Sequence, residues 1–219
     1  MPSLDTRCRF AILAIEQRLR KRQFKISSTR SCVWESRLPA YVSTETQDGA
    51  RFQDYWSSLP REGLTPHTRD FLTTPDPALI SRVLILEVND DFLLVRFMGT
   101  NLVSLMGVDV TNKEFGAGLP DSVRATFLFN CHAVIGQPCG LHEVTEFVSA
   151  TGRPFRMETL MLPLAVDEGK PPRICSFSAI LEEVETEEKD RLRFHAKRDA
   201  AWFDIGSGVP DGSPQYPQA

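Results

Sequence analysis

A chain of 219 residues, 42% hydrophobic and 25% charged, can bury a full core but has room for one ordinary domain with flanking arms. No apolar run approaches the roughly 18 residues of a membrane-spanning helix. The five cysteines (Cys8, Cys32, Cys131, Cys139 and Cys175) are odd in number and form no C-x-x-C pair, which argues against a disulfide framework and a zinc ribbon. A cytoplasmic protein with reduced thiols is expected.

The net charge of −4 is unevenly spread: residues 1–50 hold nine basic side chains against five acidic ones, so this arm is +4 and the remainder −8. An acidic body points away from nucleic acid as a partner of the domain. The cluster Arg18-Leu19-Arg20-Lys21-Arg22 suits an anionic surface, but its neighbours make no clean apolar stripe. Ile12, Ile15 and Leu19 share a helical face while Phe10 and Leu13 point the other way. Residues 1–48 are therefore expected to be a basic, poorly ordered arm. The patch Phe10 to Ile15 is too short for a signal-peptide core, and a later translation start, at Val33, Leu38 or Val42, is the simpler alternative for this stretch.

Ala50 to Leu59 carries Phe52, Tyr55, Trp56 and Leu59 at i, i+3, i+4 and i+7 and stops at Pro60, which predicts an amphipathic helix. Asp76-Pro77 places a capping residue before proline at the first helical position and predicts a short helix through Ser81. Val83 to Val88 and Phe92 to Met98 read as strands joined by the turn formers Asn89-Asp90-Asp91, hence an antiparallel hairpin. In Arg96-Phe97-Met98-Gly99-Thr100-Asn101-Leu102-Val103-Ser104-Leu105-Met106-Gly107, Gly99 supplies the turn, Thr100 caps, Leu102, Leu105 and Met106 share a buried face, and Gly107 is the left-handed stop. A short irregular or helical passage through Phe115 precedes a longer helix from Pro120 to about Ile135. Three strands follow, Gly140 to Val148, Phe155 to Leu164 and Arg173 to Val184, with turns at Ser149–Arg153 and Asp167–Lys170.

The last two strands are apolar on both sides. Phe155, Met157 and Met161 oppose Leu160, Leu162 and Leu164, and Cys175, Phe177, Ala179 and Leu181 oppose Ile174 and Ile180. Both sheet faces must then be covered, the second one by the Phe52/Tyr55/Trp56/Leu59 helix or by another subunit. The helix is the preferred cover, with dimerisation through the same region as its companion, so these four residues are the interface candidates.

Phe129-Asn130-Cys131-His132, near Cys139 and His142, raises the question of a metal. On a helical wheel Val123, Phe127, Cys131 and Val134 form the buried arc and His132 sits on its edge, so Cys131 and His132 cannot aim at one ion; a buried structural Cys131 and no metal site are expected. No nucleophile elbow, phosphate loop or paired-carboxylate signature is present, and Glu143, Glu146 and Glu158 read as solvated or ion-paired. No catalytic residue is assigned.

The element order β-β-α-α-α-β-β-β, the Arg96-to-Gly107 motif, Asp109, Thr111 and Phe115, and Met161-Leu162-Pro163-Leu164 before Arg173-Ile174 together resemble the PAS superfamily, specifically the bacterial PAS family 5 group. The resemblance covers about Phe52 to Glu185 and implies an α+β domain over residues 49–185. In it a five-stranded antiparallel sheet is cupped by helices, with a pocket between helices and sheet and a charged, then Gly/Pro-rich tail over residues 186–219. It carries over no catalytic residues. A haem on His132 is disfavoured by its edge position, and the likeness of Asn-Cys-His to a flavin-adduct cysteine fails because it lies in the last long helix.

The implied function is a stand-alone sensory or regulatory protein, not an enzyme, acting through a protein partner or its own homodimer, because 35 residues after Val184 leave no room for an output domain. The pocket candidates are Leu102, Met106, Phe115, Phe127, Cys131, Met157 and Phe177, with filled core the preferred state and a small-molecule ligand the alternative. No cofactor is named by the sequence. Two other readings stand beside this one: a small cone-shaped isomerase or dehydratase, which needs an acid/base pair in the pocket, and a peripheral membrane adaptor using residues 1–45.

Overall fold

Six strands form one antiparallel sheet in the order β2-β1-β5-β4-β3-β6: β1 (Val83–Val88), β2 (Leu93–Met98), β3 (Cys139–Val148), β4 (Pro154–Leu164), β5 (Arg173–Glu183) and β6 (Asp199–Asp204). The computed structural model describes residues 42–61, 63–73, 75–149, 151–183 and 199–215. Residues 1–41 of the basic arm and residues 184–198 of the charged exit from the last predicted strand lie outside them. Val42, inside the span expected for the arm, exchanges two hydrogen bonds with Gln53: its amide donates to Oε1 and its carbonyl accepts from Nε2, both at 3.0 Å.

The hairpins form where turn chemistry places them. Leu84 lies opposite Met98 and Val88 opposite Leu93 across the first, and the Ser149 amide donates to the Arg153 carbonyl at 2.8 Å in the second, where Gly152 sits at φ 79°. Five predicted strands are thus present. The sixth, β6, corrects the five-strand expectation: Cys139 to Val144 of β3 pair with Asp204 to Asp199, so the β3 edge is taken by the segment expected to be tail. Phe203 lies over Gly140, where a Cβ would stand 2.0 Å from the ring.

Helices α1 (Gln47–Ser58), α2 (Thr68–Thr73) and α3 (Pro77–Ile80) lie before the sheet. Thr46 caps α1, its Oγ1 accepting from the Gly49 amide at 2.8 Å, and Asp76 caps α3, accepting from the Ala78 amide at 2.9 Å. Phe52 stacks on Phe177 of β5 at 4.8 Å, Phe71 meets Phe52 edge-on at 6.2 Å, and the Trp56 indole donates to the Pro163 carbonyl at 3.2 Å. These contacts unite α1 to α3 with Leu160, Leu162, Leu164, Cys175 and Phe177, so one sheet face is covered by helices of the same chain. Burying aromatics of this size supplies roughly 1.5–3 kcal/mol each.

On the opposite face lies α5 (Asp121–Gly136), preceded by α4 (Thr100–Met106). Cys131 and Val134 of α5 pack against Leu86, Val95, Leu141, Met161 and Ile174. Between α4 and α5 the passage read as irregular or helical is irregular, so the middle one of the three helices in the expected order is absent: residues 107–120 run as turns and fasten the β2 edge, with Val95 donating to Lys113 and Phe115 donating to Leu93. Backbone groups spent on that edge are not available to a helical ladder. Gly107 ends α4 at φ 71°, as predicted. Gly99, at φ −66°, is the helix cap in place of Thr100 and is required by packing rather than by backbone freedom, since a Cβ there would lie 2.3 Å from the Ser81 carbonyl oxygen.

Candidate functional site

The face of the sheet beneath α4 and α5 is uneven. Strand alternation puts Cys139, Leu141, Glu143 and Thr145 of β3, Met157, Thr159 and Met161 of β4, and Ile174, Ser176, Ser178 and Ile180 of β5 on this one face. Across the strands they make rows. Leu141–Met161–Ser176 lies under α5 beside Cys131, next comes Glu143–Thr159–Ser178, and then Thr145–Met157–Ile180. The α5 end is filled by apolar side chains, whereas the middle row is polar and buried, with Thr159 and Ser178 hydroxyls 3.4 Å apart and Glu143 only 5% exposed. Beyond it the Thr145 hydroxyl is buried with no hydrogen-bonding partner among the described residues.

The last row opens into a cleft of about 460 Å³. Asn101, Leu102, Ser104 and Leu105 of α4 form one wall, Met157, Ser178 and Ile180 the floor, and the β3–β4 hairpin residues Ser149, Thr151 and Arg153 the far rim. Arg82, which precedes β1, and Glu183, which ends β5, complete it. Ile180 is 52% exposed at the point where β5, buried over residues 174–179, emerges toward its half-buried and exposed C-terminal end, so the cleft shows apolar floor to solvent. Two cations stand at the rim in different conditions. Arg82 is held at 2.6 Å by Asp48 of α1, whereas Arg153 approaches Glu183 only at 3.8 Å, with both side chains 73% exposed.

The predicted pocket residues divide among four places. Leu102 and Met157 line the cleft; Phe115 and Phe127 meet edge-on at 5.3 Å in the core beside Cys131; Met106 is half exposed at the end of α4, and Phe177 lies on the other sheet face against Phe52. Of the interface candidates, Phe52, Trp56 and Leu59 are buried against the sheet of their own chain, and Tyr55 is half-buried with its hydroxyl donating to the Phe71 carbonyl. Sequence reasoning passed over Arg82, Arg153, Ser178 and Ile180. Ser176 and Ser178, small polar residues alternating inside an apolar strand, were the available signal.

A second buried polar group lies on the other face of the sheet. Glu158, expected to be solvated or ion-paired, is fully buried on the opposite face, where its carboxylate accepts from the Glu45 amide at 2.6 Å, the Thr46 amide at 3.0 Å, the Thr46 hydroxyl at 2.5 Å and His142 Nε2 at 2.9 Å. Burial acts to raise its pKa, but the hydrogen bonds from His142, Thr46 and Glu45 outweigh it and leave the carboxyl below its ordinary value. Both oxygens serve structure, and the group faces α1, not the cleft.

Cys131 is fully buried, and its thiol is pushed up to about 12 by burial first and the charge of Glu143 second. His132 is exposed and meets the Asp90 carbonyl oxygen at 3.3 Å. Among the described residues, no three His, Cys, Asp or Glu side chains converge as metal ligands, and no helix is long and apolar enough to cross a membrane.

A strand pair, two helices on one face and three further antiparallel strands now stand as a topology to compare with known proteins. The family described as PAS domain matches residues 44–178. The chain belongs to the PAS domain family. That match spans α1 through most of β5, so the helical cover, the PAS sheet and the cleft walls of α4 fall inside it, while β6 falls outside. Among solved structures the chain is similar to a fungal LOV domain photoreceptor, at 16% identity and a TM-score of 0.35, over 62% of this chain and 95% of that one. No curated protein matches. PAS membership supports a sensory or regulatory role in general.

Proposed function

We propose that this PAS protein is a regulator that takes a small molecule in the cleft between α4 and the β4–β5 end of the sheet and passes the signal to a protein partner or a second copy of itself. The observation that carries the reading is the contrast within one sheet face, filled under α5 and open at Ile180. Ile180 shares its concavity with the apolar Leu102 and Met157, and the volume falls in the roughly 300–1,000 Å³ range of ligand pockets. The Ser178 hydroxyl on the cleft floor supports a polar contribution to binding.

A catalytic role is disfavoured because the buried Glu158–His142 pair lies on the other face of the sheet with its acceptors already used. The buried free thiols Cys131, Cys139 and Cys175 suit the reducing cytoplasm. Native mass spectrometry of the full chain purified from its natural source tests the reading: a non-covalently bound small molecule released on denaturation is expected, and a preparation that is uniformly free of one contradicts it.

A further inference from the structure

The cleft is two-sided in its chemistry, and the two rim cations are not equivalent. Leu102, Met157 and Ile180 offer an apolar bed, and the hydroxyl of Ser178 lies at its inner end. Arg82 is committed to Asp48, whose other carboxylate oxygen accepts from Arg51 at 3.0 Å. Arg153 instead sits at the end of the hairpin turn with its guanidinium loosely opposed by Glu183 at 3.8 Å, beyond hydrogen-bonding distance. A guanidinium in that condition has its fork of donors available, and a carboxylate is the planar partner that satisfies the fork with two parallel bonds.

We infer that the cleft binds an organic acid with an apolar body, its carboxylate on Arg153 and its chain over Leu102, Met157 and Ile180. This rests on the cleft being the ligand site. Glu183 is the opposing charge at the rim and weakens the binding, so that neutralising it tightens the complex. Arg82 remains with Asp48 and contributes little to the head group.

Isothermal titration of the full chain with octanoate, octanol and inorganic phosphate separates the parts. Octanoate is expected to bind about tenfold more tightly than octanol, as a charge-assisted hydrogen bond requires, and phosphate alone to bind more weakly than octanoate because it has no apolar body. Arg153→Gln is expected to remove the preference for octanoate, Glu183→Gln to strengthen octanoate binding, and Ile180→Asp, at a half-exposed position of β5, to abolish binding of both organic probes in a variant that keeps the parent's melting transition. Equal binding of octanol and octanoate, lost in Ile180→Asp, overturns the acid preference and leaves the cleft as a ligand site. Phosphate binding as tightly as octanoate overturns the apolar requirement. Absence of binding by all three probes, or binding indifferent to Ile180→Asp, overturns the inference and the ligand reading of the cleft together.

Discussion

Glu158 on β4 closes the N-terminus of α1, its carboxylate accepting from both the amide and the hydroxyl of Thr46, the residue that caps the helix. The contact is close enough that Gly49 is obligatory in the first turn: a Cβ there would lie 2.7 Å from Glu158 Oε2. One buried anion thus meets the positive end of α1 and fixes the helix over the sheet. Glu158→Gln keeps the shape but turns an amide group toward the backbone donors. A loss of about 2–4 kcal/mol is expected, read as a fall of several degrees in Tm by calorimetry. A variant as stable as the parent would mean the anion does not hold α1.

Acid should remove the same contribution. The Glu158 carboxyl is held below its ordinary value, so the folded state favours the ionised form. For a depressed carboxylate the stabilisation is complete above the unfolded value of about 4.3 and is lost as pH falls through the lower folded value. The stability difference between the parent and Glu158→Gln is therefore expected to narrow as pH falls below about 4. Denaturant melts at a series of pH values measure it; a gap that widens on acidification reverses the sign and contradicts the assignment.

Gly99 positions the α4 wall of the cleft. Its amide donates to Val83, the Asn101 amide donates to Ser81, and a side chain at 99 would press on the backbone of Ser81 and Ile80, which has no rotamer by which to yield. Gly99→Ala is expected to cost about 1–3 kcal/mol and to displace α4 from the sheet. Amide chemical shifts of Asn101 to Leu105 report the displacement, and unchanged shifts in a stable variant would refute it.

Gly140 and Phe203 make a similar test of the sixth strand. The ring occupies the space where a Cβ at 140 would stand, so Gly140→Ala must expel it and with it the β3–β6 pairing. Faster hydrogen exchange at residues 199–204, with β4 and β5 retaining protection, is the expected outcome. Protection of β6 equal to that of the parent would show that the strand is held by other contacts.

Local chemistry made much of this fold readable. The turn formers at Asn89-Asp90-Asp91 and Gly152, the apolar spacing of Phe52 and Trp56, and the stop at Gly107 each act over a few residues and lie where their chemistry puts them. What was not readable depends on distant partners. Glu158 reads as solvated or ion-paired on its own strand; His142 of β3 is its pairing partner, but its full burial rests also on Thr46 and Glu45, 112 and 113 residues away. Strand β6, Asp-Ala-Ala-Trp-Phe-Asp, has too little apolar alternation to announce itself and forms because Gly140 leaves room for Phe203. The cleft escaped for a related reason: Leu102, Leu105, Met157 and Ile180 each belong to an apolar pattern on their own element, and only the folded chain brings them together with Arg82 and Arg153. Periodicity identifies what is buried, while a binding surface is made by what burial leaves out.

The central claim is that the open end of the sheet face, rather than the filled end under α5, is where the protein takes its signal. Hydrogen exchange of the protein as purified from its natural source, compared with the same protein after unfolding, dialysis and refolding, tests it most directly. Greater protection before stripping is predicted at residues 101–105, 149, 151–157 and 178–183, with α5 unchanged; identical exchange, or a difference confined to α5 and the strands beneath it, would contradict the account.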